Sequence, residues 1–186
     1  MTYSLNLNEL IHQNLSQQWT VKQIENYFSQ QQSWAWVGYV LLPLALYIKT
    51  LVIALILDIG GFFNDVALPF KKYWRLVLQS EFIFLFAGLV KLLWLKFIIV
   101  DFTYEQVQQT VPFSLQSLLD TSNIPHWAIY PLQWLNLFQV LYWIMLIALL
   151  NQATRSSKGF HIVMISYFPG AIIWILLIMF LSLNAT

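Results

Sequence analysis

The sequence is short of charge and has no cysteine. Only 9% of its 186 residues are Asp, Glu, Lys or Arg, while 59% are hydrophobic. A soluble domain carries about 25% charged residues, so this chain has too little charge to keep a water-facing surface solvated. Lipid in place of water around most of the fold accounts for the deficit. The missing cysteine excludes disulfides, thiolate metal sites and thiol-based redox chemistry. With a net charge of +1, nothing suggests a nucleic-acid partner. The first 33 residues lack a long apolar core and contain Glu9, Lys22 and Glu25. No cleavable signal peptide is therefore expected, and the first true span should direct insertion.

Catalytic patterns are missing too. The three histidines, His12, His126 and His161, are scattered and have no paired acidic neighbours, so no His-Glu-x-x-His metal site is expected. There is no G-x-S-x-G, and neither Ser166 nor Ser182 has a base one turn away. Phosphate-binding glycine loops and acidic pairs for a dimetal site are absent. Gly60-Gly61 reads as a helix end. The expectation is a protein that is not an enzyme and carries no cofactor.

What is present is apolar length and aromatic rings. Nine Trp and nine Tyr suit interfacial belts, where a ring lies among headgroups with its polar atom wet. Four long apolar runs predict spans of about 34–60, 80–100, 127–150 and 160–183. Each can cross a bilayer, for which ~20 helical residues suffice. Pro43, Pro131 and Pro169 fall inside these runs and predict kinks or tilts. None of the runs alternates as a barrel strand would. The fold expected is an all-α membrane protein, a bundle of four transmembrane helices occupying 34–186.

Residues 1–33 form a polar, Gln-rich lead-in with two amphipathic helices expected. Leu7, Leu10, Ile11 and Leu15 mark the first. Val21, Ile24, Tyr27 and Phe28 mark the second, after a Thr20-x-x-Gln23 capping box. Such helices lie on the membrane surface or dock a partner. The connection at 101–126 carries another stripe, Phe113, Leu115, Leu118 and Leu119, which predicts a short surface helix capping the bundle.

Charge orients the spans. Lys71, Lys72 and Arg75 fall in the first connection (64–81) and Arg155 and Lys158 in the third (151–159). The second has Asp101, Glu105 and Asp120 with no cation. The positive-inside rule puts the first and third in the cytoplasm. With four spans both termini lie outside; a further interfacial or re-entrant element near the N-terminus would place that end inside instead. Richness in Gln and Asn and the short chain favour a bacterial cytoplasmic (inner) membrane.

Lys49 and Lys91 fall near mid-membrane depth on this reading, with Glu81 at the start of a span. A centrally placed Lys costs about 2.5–3.5 kcal/mol on insertion scales. Two explanations stay open. One is a basic, wet pocket for an anionic headgroup or a transported ion. The other is that the lysines pair or snorkel. Lys96 can reach the outer interface beside Asp101.

The later part of the chain resembles the Yip1 family of polytopic membrane proteins in its bacterial form. The resemblance covers about residues 50–180. It rests on Ser114-Leu115-Gln116-Ser117-Leu118-Leu119, the run Pro131 to Trp143, Leu146 to Leu150, and the basic loop Arg155-Ser156-Ser157-Lys158. Upstream, Gly60-Gly61 followed by Pro69-Phe70-Lys71-Lys72-Tyr73 resembles the family's glycine-then-basic connection. It implies a helical membrane fold, in a family that usually has five spans, a cytosolic N-terminus and an outward C-terminus. Eukaryotic members act in vesicle traffic with small GTPases, and no residue here carries that interaction. Three functions follow as expectations: a non-enzymatic subunit or scaffold of a membrane assembly, with other membrane proteins, itself and the lipid bilayer as partners; a small transporter or lipid-handling protein using Lys49 and Lys91 on an anionic lipid or ion; and, last, an intramembrane enzyme.

Overall fold

The computed structural model describes residues 20–97, 110–119 and 124–184. Regular structure among them is helical. Four helices are long and apolar enough to cross a membrane: Lys22–Phe63, Phe70–Phe97, Leu137–Thr154 and Lys158–Asn184. This is the architecture of a multi-pass integral membrane protein. The first lead-in helix and the acidic residues Asp101, Glu105 and Asp120 lie outside the described residues.

Helix α1 spans Val21–Phe63. Its start carries half of the expected capping box: the Thr20 N–H donates to Gln23 Oε1 at 2.9 Å. The second lead-in helix and the first span are not separate elements. One helix runs across residue 33, because the Gln-rich stretch contains good helix formers and no glycine or proline before Gly38. It also continues through Pro43. Its 43 residues extend about 64 Å, roughly twice the ~30 Å hydrocarbon thickness.

The helix stops at a left-handed Asp65 (φ 52°). There the Val66 N–H reaches back to the Gly61 carbonyl at 3.0 Å, and Asn64 Nδ2 caps the Gly60 carbonyl at 2.8 Å. Gly60 and Gly61 therefore form part of the helix's last turn, while the left-handed stop itself is Asp65. Their purpose is contact: a Cβ on Gly61 would overlap the Tyr73 hydroxyl, and one on Gly60 would lie 2.5 Å from Ser166 Oγ.

Helix α2 spans Phe70–Phe97. It begins ten residues before the expected span, so Lys71, Lys72 and Arg75 occupy its first turns and the true connection is only 64–69. Apolarity marks where a helix meets lipid, not where its hydrogen bonds begin.

The expected third span, 127–150, is two helices. Helix α4, His126–Trp134, ends before Leu135, and α5 runs from Leu137 to Thr154. Asn136 causes the break. Its backbone is extended, its Oδ1 accepts the Gln139 N–H at 2.9 Å, and its Nδ2 donates to the Gln133 carbonyl at 2.9 Å. A bridge between Ser114 and Asn136 fixes the same point: the Leu115 N–H meets the Leu135 carbonyl and the Leu137 N–H meets the Phe113 carbonyl. Asn136→Ala should cost about 1 kcal/mol, the usual loss for an N-cap. A detergent-unfolding titration followed by tryptophan fluorescence would read it, and no change would argue that the bridge alone holds the break.

Short helix α3, Leu115–Leu118, is where the sequence placed one. Its packing is the reverse of the expected bundle cap: Ser114 and Gln116 are buried, while Leu115, Leu118 and Leu119 are exposed. In lipid, apolar side chains gain little by turning inward.

The last span opens with α6 (Lys158–Ile162), widens into a π-helical turn over Val163–Tyr167, and continues as α7 (Phe168–Asn184). The wide turn lies just before Pro169, which cannot donate a hydrogen bond back into it.

The chain forms two compact units. The larger, Ile48–Val90 with Val111–Thr186, holds a core of Ala54, Leu57, Tyr73, Val77, Tyr142 and Leu146 with their neighbours. At one end of it Lys158 Nζ donates to the Asn64 carbonyl at 2.6 Å, so the first and third connections meet. In the smaller unit, Met1–Tyr47 with Lys91–Thr110, Ile24 and Leu95 are buried.

Candidate functional site

Helices α1 and α2 form an antiparallel hairpin about a short connection, which sets Lys49 against Glu81. Lys49 lies 14 residues back from Phe63 and Glu81 11 residues on from Phe70. Those offsets correspond to about 21 and 16 Å of helix measured from the connection. The extra length of α2 moves Glu81 from the expected start of a span into its interior. Lys49 Nζ lies 2.8 Å from Glu81 Oε2. It also lies 4.5 Å from the centroid of the Phe84 ring, whose face attracts a cation. The Lys49 side chain is 44% exposed and that of Glu81 only 15%. Apolar surroundings strengthen such a pair and at the same time make a lone charge there costly.

The pair continues into a polar and aromatic seam. Phe84 packs on Tyr142 at 5.1 Å between centroids, and Tyr142 on Tyr167 at 5.8 Å. Gln139 Nε2 donates to the Tyr167 hydroxyl at 3.0 Å. Trp74 Nε1 donates to Thr50 Oγ1 at 3.2 Å. The Tyr142 hydroxyl and Glu81 Oε1 are buried with no hydrogen-bond partner among the described residues. The seam neutralises charge and orders rings between helices. Its groups include no serine or cysteine nucleophile held by a base. Among the described residues no three His, Asp or Glu side chains gather as a metal site would require.

Lys91 is not part of the pair. It lies 21 residues from Phe70 on α2, or about 32 Å along the axis, which is comparable with the hydrocarbon thickness.

A second charged feature was read in the sequence only as a topology signal. Lys71, Lys72, Arg75 and Gln79 of α2, with Leu149 and Gln152 of α5, line a groove of about 480 Å³. The cations were visible in the sequence, but their pairing with the end of α5 was not. Tyr142, Tyr167 and Gln139 were also missed, because tyrosines in an aromatic-rich chain read as interfacial anchors. Gln139 in the middle of an apolar run was the available signal.

No family model matches this chain, and no curated protein and no solved structure does either.

Proposed function

We propose that the chain is a non-enzymatic multi-pass membrane protein, Yip1-like in architecture, that serves as a subunit or scaffold of a membrane assembly in a bacterial inner membrane. The observation that carries the reading is the last span. Only 11% of its apolar window is buried, and α7 has no buried residue. Helix α7 packs on α4 along one face, and its Phe168 and Ala171 lie against the core. Gly170 admits Ile56, and Trp174 Nε1 donates to the Tyr130 hydroxyl at 2.9 Å. With one face packed and none of its residues fully buried, the span offers the rest of its circumference, including exposed Ile173, Leu177 and Phe180, to a neighbouring membrane helix.

The basic connections support the orientation of this reading, with the Asn64–Lys158 end in the cytoplasm. The alternative, a transporter or lipid-handling protein using Lys49 and Lys91, draws less support. Lys49 already has a carboxylate partner, and Lys91 is not joined to that pair.

A photo-crosslinking residue placed at Ile173 or Leu177 in cells tests the proposal. Discrete protein adducts are expected at these positions and none at buried Leu146. Lipid-only adducts at every α7 position, together with a monomeric mass in native nanodiscs, would overturn it.

A further inference from the structure

We infer that the groove between the start of α2 and the end of α5 is a binding site for the headgroup of an anionic phospholipid. Three cations, Lys71, Lys72 and Arg75, stand in the first two turns of α2, and all three are exposed. The first turn contains no acidic residue. A helix N-terminus carries the positive end of the macrodipole, so cations there are unfavourable. Lys71 and Arg75 are four residues apart on one face, where like charges repel. Among the described residues no carboxylate pairs with any of the three. The fold gains nothing from this arrangement, and an anion would relieve it.

The walls choose the kind of anion. The groove carries polar Gln79 and Gln152 beside apolar Leu76, Leu149 and Ala153. A soluble phosphate has no use for an apolar wall. A phospholipid needs both parts: cations for the phosphate and an apolar wall for the first carbons of its chains. The position also fits, because these are the first turns of a span and headgroups lie there. Arg presents a planar fork that can take two phosphate oxygens, while the lysines supply point charge. Basic pockets between transmembrane helices suit anionic headgroups in this way. The site needs only that the chain is inserted, so it stands or falls apart from the subunit reading.

The test must separate a built site from a general basic surface. A variant combining Lys71→Gln and Arg75→Gln with Asp65→Asn and Ala67→Lys keeps the net charge of this region while removing two of the three cations from the groove. Asn tolerates the left-handed backbone of residue 65. Native mass spectrometry of the full chain in zwitterionic detergent, titrated with phosphatidylglycerol, should show one lipid retained by the wild type. The variant should bind at least tenfold more weakly, and millimolar inorganic phosphate should not displace the lipid from the wild type. In detergent without anionic lipid the variant should melt no lower than the wild type, because it loses repelling charges. In phosphatidylglycerol nanodiscs only the wild type should gain melting temperature. Equal lipid retention by both proteins would reduce the groove to part of a diffuse basic belt and overturn the inference. Displacement by inorganic phosphate would do the same in favour of a soluble anion.

Discussion

Lys49→Met is expected to destabilise the protein by about 3 kcal/mol, the scale on which breaking one side of a buried ion pair acts. The loss comes from what remains. Glu81 is 15% exposed, and its Oε1 already lacks a hydrogen-bond partner among the described residues. Removing Lys49 leaves a carboxylate with neither water nor a cation. Glu81→Gln alone should cost less, because Lys49 is half exposed, keeps the Phe84 ring and has a stem long enough to seek the interface. Combining the two substitutions should recover most of the loss, since a neutral pair carries no desolvation penalty. Unfolding in mixed micelles by added dodecyl sulfate, followed through the tryptophans, gives all three numbers and their coupling. If Lys49→Met unfolds at the wild-type midpoint, the two side chains are not coupled in the membrane.

The second large effect is expected at Gly159. A Cβ there would lie 2.6 Å from Asn151 Oδ1, 2.7 Å from the Ile147 carbonyl oxygen and 3.0 Å from the Asn151 nitrogen. Two of these three atoms are backbone and cannot turn away. The Gly159 N–H also donates to Asn151 Oδ1 at 2.8 Å, a bond that the same methyl group would push apart. Gly159→Ala should therefore cost about 2–3 kcal/mol, the upper range for overpacking. Gly88 is the control, since a Cβ there meets nothing within 4 Å. Gly88→Ala should be neutral or slightly stabilising, because alanine is the better helix former by about 1 kcal/mol. Equal behaviour of the two variants in the same titration would show that α5 and α6 do not approach as closely as described. In lipid, close backbone approach through small residues replaces the hydrophobic drive that a soluble core enjoys.

The four apolar runs were legible because membrane spanning writes itself in composition. Their ends were not. Helices α1 and α2 extend through polar and basic residues that an apolarity reading treats as loop. Ten missing residues at the start of α2 hid that Glu81 lies in the helix interior, facing Lys49. The break at Asn136 was hidden because Trp134, Leu135 and Leu137 carry the apolar run straight across it. Only the capping chemistry of a lone Asn marked it. The α3 stripe was found, but its facing was inferred by the rules of water.

The pairing of Lys49 with Glu81 needed the length of the connection, which fixes the register of the hairpin. The basic groove needed knowledge that α5 ends beside the start of α2. Neither fact resides in any short stretch of sequence.

The π turn at Val163–Tyr167 acts as a phase setting for the last span. One extra residue in a helix turns everything after it by about 100°. Trp174 meets Tyr130 because that turn has been made. A chain one residue shorter between 163 and 167 would keep its length, hydropathy and charge almost unchanged, yet it would bring a different face of α7 against α4. The outward face of the protein is thus selected by the count of residues in one turn, and a single insertion or deletion there would exchange the surface offered to its surroundings without altering any side chain on it.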